Sequence, residues 1–140
     1  LGSTSKSGFS EIVDVIDYAS PIKNKGLFIM DSPGYDPVSV TGQIAAGANI
    51  VCFTTGRGST IGFKPSPCIK IASNSSIFNS MMGDMDFNCG GVIDGEISIN
   101  DLGKQLFELI INTASGKQTL SELQSYGDNE FNPWHLGPVN

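Results

Sequence analysis

The sequence predicts an α/β fold built on a mostly parallel open sheet. Short apolar runs of strand length alternate with helical patterns, and glycine and proline mark the loops between them. Residues 27–53 contain a strand, a loop, a helix and a second strand in about 30 residues, which is the size of a βαβ unit. Such a unit pairs its strands in parallel through a right-handed crossover. We therefore expect a Rossmann-like three-layer arrangement with helices on both faces of the sheet.

Individual elements follow from periodicity and from their start signals. The predicted strands are 27–30, 50–53 and 68–72. The predicted helices are 9–16, 36–48, 75–82, 99–114 and 120–124. Their N-cap candidates are short side chains that carry an oxygen acceptor: Ser10, Asp36, Ser75 or Ser76, and Ser98. The buried stripe of the long helix is predicted at Ile99, Leu102, Leu106, Ile110 and Ala114.

The length of 140 residues predicts one domain. Within it we expect a disordered leader at 1–8 and a C-terminal tail at 119–140. The chain begins without methionine, which favours a piece of a longer protein. No apolar run approaches the roughly 20 residues of a membrane helix, and three cysteines without Cys-x-x-Cys spacing favour a reducing cytoplasm.

Charge is distributed unevenly along this acidic chain. Residues 37–83 contain no Asp or Glu but carry Arg57, Lys64 and Lys70, whereas the net charge of the whole chain is −6. A locally positive, glycine-rich stretch suits a small anion. Three bases are too few for an extended basic face, so nucleic acid is not expected as a partner.

The segment 54–60 is the strongest candidate site, because it directly follows a predicted strand. Loops at the carboxyl ends of parallel strands bind ligands in open α/β sheets. Gly56 and Gly58 let backbone N–H groups turn toward an anion, and Arg57 between them can hold a carboxylate with two hydrogen bonds. Hydroxyl donors surround them at Thr54, Thr55 and Ser59. The alternative is a tight turn with a solvent-facing arginine.

Two further residues are candidates for proton transfer or substrate contact. Asp31 follows the strand at 27–30, where its carboxylate could orient Arg57 or accept a substrate hydroxyl; otherwise it stabilises a turn. Lys64 lies in a proline-stiffened loop and could bind a second anionic group or act as a base; otherwise it is a surface lysine.

Metal ligation has weaker support in these residues. The segment 84–91 mixes carboxylate, amide and thiol side chains that could bind a metal, but we interpret it first as an Asp-rich turn. His135 is the only histidine, so the chain alone cannot build a multi-histidine centre or a serine-hydrolase triad.

Six blocks in order resemble the C-terminal part of the altronate/galactarate dehydratases. They are GYDPVSVTGQ at 34–43, FTTGRGS at 53–59, KP at 64–65, IKIASN at 69–74, DMDFNCG at 84–90 and GDNEF at 127–131. The resemblance runs from about Phe9 to the end of the chain. It also extends to the large subunits of sulfolactate sulfo-lyases.

This resemblance implies a specific reaction. Members of the family eliminate water from an aldonate or aldarate to give a 2-keto-3-deoxy sugar acid, with a divalent metal, usually iron(II). They are longer proteins, so the other domains of the same enzyme are expected partners, and the metal ligands are expected outside this chain. The expected substrate is altronate; galactarate, sulfolactate and a non-catalytic assembly role stay open, as does homo-oligomerisation. The isolated chain is expected to be inactive.

Overall fold

A computed structural model of the chain describes residues 8–135; residues 1–7 of the leader expected at 1–8, and residues 136–140 of the expected tail, lie outside the described residues. The chain divides into two compact units. Of the described residues, 8–48 and 132–135 belong to the first unit, and 49–131 form the second. Both are α/β with parallel strands, which confirms the predicted fold class.

The first unit holds two strands and one helix. Strand β1 (Ile12–Ile16) pairs in parallel with β2 (Leu27–Met30), and helix α1 (Asp36–Ala45) follows. Val38, Val40 and Thr41 of α1 are buried. The Tyr18 hydroxyl donates to the Val38 carbonyl at 2.8 Å, which joins the segment after β1 to this helix.

The helix predicted at 9–16 is wrong, because this segment forms β1. Four of its five residues, Ile12, Val13, Val15 and Ile16, are β-branched, and such side chains favour extended backbone. The predicted pairing of 27–30 with 50–53 is also wrong. β1 supplies the parallel neighbour of β2, and the strand that follows α1 belongs to another sheet.

The second unit contains a three-stranded parallel sheet with the order β3 (Val51–Thr55), β4 (Cys68–Ala72) and β5 (Phe87–Asn88). Strand β4 is central and every one of its residues is buried. Phe63 and Met85 pack into the same core, each almost completely removed from solvent. The hydrophobic interior of the unit is therefore organised around β4.

Helices of the second unit begin close to where the sequence predicts. They are α2 (Ser75–Ser80), α3 (Ile99–Ala114) and α4 (Leu120–Leu123), with a 3₁₀ turn at Gly90–Val92. Ser98 caps α3 as predicted, since its hydroxyl accepts from the Asp101 N–H at 3.1 Å. The cap of α2 is Asn74 in place of Ser75 or Ser76, and α1 is preceded by Tyr35 with Asp36 already inside the helix.

The long helix α3 differs from its predicted burial. Leu102 is buried, but Ile99 is 73% exposed and Phe107 is 62% exposed. Its apolar surface is therefore wider than the face that the second unit covers. None of the helices within residues 8–135 is both long and apolar enough to cross a bilayer.

Candidate functional site

Three loops leave the carboxyl ends of β3, β4 and β5 side by side. The Ser73 N–H donates to the Thr55 carbonyl at 2.9 Å, and the Cys89 N–H donates to the Ala72 carbonyl at 2.8 Å. These bonds extend both parallel ladders by one residue beyond the strands. The loop that carries Arg57 therefore starts beside the loops that follow β4 and β5, at the edge where parallel sheets bind ligands.

The conformation of the Arg57 loop is set by the Thr55 hydroxyl. Its oxygen accepts from the backbone N–H of Arg57 at 3.2 Å and of Gly58 at 3.1 Å. Gly58 has a φ of +89°, and a side chain at this position would overlap the Met81 sulfur. The N–H groups of Arg57 and Gly58 thus point at the Thr55 hydroxyl rather than toward an anion, and the described hydrogen bonds of this hydroxyl all lie within the loop.

Side chains of this loop remain for a ligand, whereas the N–H groups of Arg57 and Gly58 are already bonded to Thr55. Arg57 is exposed and forms no ion pair with any residue between 8 and 135. Thr54 is exposed at the end of β3, and the Ser59 oxygen accepts from the Ile61 N–H at 3.2 Å, which leaves the Ser59 hydroxyl proton available. The loop, whose backbone is held by hydrogen bonds to Thr55, therefore offers a ligand one guanidinium and two hydroxyl groups.

Asn74 connects the Arg57 loop to the loop after β4. Its side-chain amide donates to the Gly56 carbonyl at 3.2 Å, and its oxygen accepts from the Ile77 N–H at 2.9 Å. One residue thus caps α2 and fixes the loop. Asn74 was not among the residues predicted from sequence, although an asparagine just after a strand and before a helical pattern is a recognisable capping signal.

A second polar cluster at the same edge joins β5 to α2. The Ser75 hydroxyl donates to Asp94 Oδ2 at 2.5 Å and accepts from Asn88 Nδ2 at 3.0 Å. Asn88 Oδ1 accepts from the Gly90 N–H at 2.8 Å. A Cβ at Gly90 would run into the backbone of Ser75, so glycine permits this close approach. The sequence indicated Ser75 only as a capping candidate and Asn88 only as part of a possible metal-binding segment, so none of the four was predicted to bind substrate.

Lys64 and Asp31 have different surroundings from Arg57. The Lys64 ammonium pairs with the Asp128 carboxylate at 2.6 Å, both side chains being more than half exposed, and the Lys64 N–H reaches the Gly127 carbonyl at 3.4 Å. Lys64 also lines a cavity of about 210 Å³ with Glu122 and Tyr126.

Asp31 is exposed after β2 in the first unit. The expectation that Asp31 and Arg57 follow strands of one sheet is wrong, because β2 and β3 lie in different sheets.

Lys70 and Asp86 form a buried pair that the sequence did not reveal. The Lys70 Nζ lies 3.7 Å from Asp86 Oδ2 and has no hydrogen-bond acceptor among the described residues. Asp86 accepts from two backbone N–H groups, those of Lys70 and Leu120, each at 2.7 Å. This carboxylate therefore ties β4 to the start of α4, and its role is in the core rather than at the sheet edge.

A metal centre does not fit the described residues alone. Between residues 8 and 135 there is no group of three His, Cys, Asp or Glu side chains placed to hold an ion. Burial raises the pKa of the Cys89 thiol, and burial raises that of Cys68 to about 12, with the Lys70 charge opposing and Asp86 and Cys52 adding to the shift. Burial thus favours the protonated thiol at both cysteines in the absence of a metal.

Comparison with known proteins identifies the family of the chain. A family model described as "D-galactarate/Altronate dehydratase, C-terminal" matches residues 1–139. The galactarate dehydratase (L-threo-forming) of Escherichia coli (strain K12) is 39% identical over 99% of this chain and 27% of its own length. The altronate dehydratase of the same organism is 36% identical over 90% of this chain and 25% of its own length.

A further relative is named for a different elimination. The (2R)-sulfolactate sulfo-lyase subunit beta of Chromohalobacter salexigens is 35% identical over 94% of this chain and 33% of its own length. The chain thus spans about a quarter to a third of the length of the curated relatives that it matches. Since the family model covers nearly every residue, the chain belongs to the D-galactarate/altronate dehydratase family, as its C-terminal domain.

Proposed function

We propose that this domain serves a sugar-acid dehydratase by holding the substrate carboxylate at the Arg57 loop. The exposed guanidinium on a loop closed by Thr55, at the carboxyl edge of a parallel sheet, is the observation that carries the proposal. Guanidinium groups match carboxylates with two parallel hydrogen bonds. Thr54 and Ser59 add hydroxyl donors beside it.

The proposed reaction removes a proton and a hydroxyl group from neighbouring carbons of the substrate. When the proton on the carbon next to the carboxylate leaves, its electron pair spreads into the carboxylate, which becomes more negative. The hydroxyl group then departs from the next carbon with a proton, as water, and the resulting enol converts to the keto acid. A fixed cation at the carboxylate stabilises the transition state more than the ground state, which is how it accelerates the step.

The metal and the remaining catalytic groups are proposed to come from elsewhere in the enzyme. We infer iron(II) from the family resemblance, and the described residues contain no set of ligands for it. Asp31 and Lys64 stay candidates for proton transfer, although Lys64 already has Asp128 as its partner. The 140 residues alone are then inactive, because the other domains of the same enzyme complete the site. Those domains belong either to the same subunit or to another subunit of a homo-oligomer.

A cytoplasmic location belongs to the same proposal. Cys52, Cys68 and Cys89 are all free thiols. Cytosolic proteins keep their thiols reduced, whereas secreted domains usually pair them.

Elimination of sulfite from sulfolactate is a second candidate, favoured by the sulfo-lyase relative. The Arg57 loop would hold the carboxylate in the same way, because both substrates are α-hydroxy acids. The leaving group and the groups that recognise it would differ. An assay of the complete enzyme with altronate, galactarate and sulfolactate, in the presence of iron(II), distinguishes the two candidates.

The test of the proposal is substitution of Arg57 in the complete enzyme. We expect Arg57→Ala to lower kcat about 10² to 10³-fold, the usual cost of removing one donor to a developing oxyanion. Arg57→Lys keeps the charge but loses the two-pronged geometry, so it should recover only part of the activity. Lys25→Ala, an exposed cation of the first unit, serves as the control. Wild-type turnover in folded Arg57→Ala enzyme would overturn the proposal and favour a non-catalytic assembly module.

A further inference from the structure

We propose that Asp94, with Ser75 and Asn88, is a specificity site that favours an aldonate over an aldarate. This inference rests on the proposed function, because it concerns the part of the substrate chain beyond the carboxylate held by Arg57. Aldonates such as altronate carry one carboxylate and end in a hydroxymethyl group. Aldarates such as galactarate carry a second carboxylate at the far end.

The two polar clusters at the sheet edge are neighbours. Asn74 donates to the Gly56 carbonyl of the Arg57 loop, and Ser75 is the next residue in the chain. Consecutive Cα atoms are about 3.8 Å apart. The Ser75 hydroxyl, with its Asp94 partner, is therefore one residue along the chain from the contact that fixes the Arg57 loop, and we place the far end of a bound substrate there.

The hydrogen-bond roles within the cluster are fixed. Asn88 Oδ1 accepts from the Gly90 N–H, so Nδ2 is the amide atom that donates to Ser75. The Ser75 hydroxyl then donates its proton to Asp94 Oδ2. Asp94 Oδ1 has no partner within residues 8–135, and Asn88 Nδ2 keeps a second N–H. The cluster therefore presents a carboxylate acceptor and an amide donor from defined positions.

Those groups match hydroxyls and oppose a second carboxylate. A hydroxyl group donates to Asp94 Oδ1 and accepts from an amide N–H, so neighbouring hydroxyls of a sugar acid satisfy both. A carboxylate has no proton to donate and meets the negative charge of Asp94. Juxtaposed like charges in a binding site penalise the wrong ligand. The geometry thus favours a substrate with one anionic end at Arg57 and a neutral, hydroxylated end at Asp94.

The experiment compares galactarate with altronate in the complete enzyme and its Asp94→Asn variant. The affinity for each acid is measured as KM, or as a competitive inhibition constant for the acid that is not turned over. Asn keeps an acceptor for the Ser75 hydroxyl but removes the charge. We expect the affinity for galactarate relative to altronate to rise about tenfold, consistent with loss of a like-charge contact. Thermal denaturation confirms that the variant is folded.

Two companion variants separate failure of this inference from failure of the proposed function. Glu108→Gln removes one negative charge from the exposed surface of α3 and should leave the affinity ratio unchanged. Arg57→Ala should impair both acids. If Arg57→Ala impairs both but Asp94→Asn leaves the ratio at the wild-type value, or shifts it no more than Glu108→Gln does, the specificity site is overturned and the carboxylate site stands. If Arg57→Ala impairs neither acid, both proposals are overturned.

Discussion

Lys70 is a charged side chain in the middle of the most buried strand. Its ammonium lies 3.7 Å from the Asp86 carboxylate and has no hydrogen-bond acceptor within the described part of the chain. Asp86 in contrast holds two backbone N–H groups besides this charge. The two members of the pair are therefore unequal: Asp86 retains partners without Lys70, but Lys70 has no other salt-bridge partner between residues 8 and 135.

This asymmetry predicts different costs for the two substitutions. Asp86→Asn leaves a buried, unpaired cation and removes one acceptor oxygen, so it should lower the free energy of unfolding by about 3–5 kcal/mol. Lys70→Met replaces the cation with an apolar chain and should cost clearly less. Chemical denaturation of the domain measures both, with Asp84→Asn as a control two residues away. Equal losses for the two variants would contradict the asymmetry.

Charge at the residue scale was only partly predictable. The sequence assigns three positive charges to residues 37–83, but Lys70 is paired with Asp86 inside the core and Lys64 with Asp128 at the surface. Both acidic partners lie outside that stretch, and no local pattern announces such long-range pairings. Of these three basic residues, Arg57 has no acidic partner within residues 8–135. Arg57 is therefore the side chain of this stretch that we expect to bind an anion.

At the scale of elements, start signals were more informative than short apolar patterns. The apolar residues of 9–16 fit a helix and a strand equally well over so few positions, and β-branching together with the neighbour β2 decides for the strand. The long helix α3 was predicted with its cap because Ser98 and Asp101 act locally. The capping role of Asn74 could be recognised from the sequence, but its position with Asn88 at one sheet edge depends on the register of β4 and β5, which the sequence does not contain.

The cap of α3 gives an element-scale prediction. The Ser98 oxygen accepts from the Asp101 N–H, and its hydroxyl donates to the Asp101 carboxylate at 2.7 Å. Ser98→Ala removes both contacts and should lower the free energy of unfolding by about 1 kcal/mol. Asn100→Ala in the same turn leaves the cap intact and is the matched control. Denaturation curves in which the two variants are equally stable would show that the cap contributes nothing.

The same cap has a pH dependence of known sign. The hydrogen bond from Ser98, and secondarily that from Lys104, holds the pKa of the Asp101 carboxyl below its usual range. A lowered folded-state pKa stabilises the folded state above the unfolded pKa, and this contribution is lost as the pH falls through the folded value. Because Asp101 is exposed, solvent screens the effect, and α3 should weaken only at acidic pH.

At the scale of the whole molecule, stability and activity should separate. The second unit surrounds β4 with buried side chains such as Phe63, Ile69 and Met85, which is what an independently folding core requires. Its sheet edge offers Arg57 and hydroxyl groups, but the described residues lack a metal-binding set, and Lys64 is already paired. Binding one end of a substrate does not supply the proton transfers that elimination demands.

We therefore predict that the 140 residues, produced alone, unfold cooperatively but do not dehydrate altronate or galactarate with added iron(II). Circular dichroism during thermal denaturation checks the first part. An assay for 2-keto-3-deoxy acid, run beside the complete enzyme at equal molar concentration, checks the second. Turnover by the isolated domain would place the general acid and base within this chain, and Asp31 and Lys64 would then be the candidates for proton transfer. A folded, inactive domain would place the missing groups in other parts of the enzyme. This chain leaves about two thirds or more of each relative's length unmatched, which is enough to hold further domains.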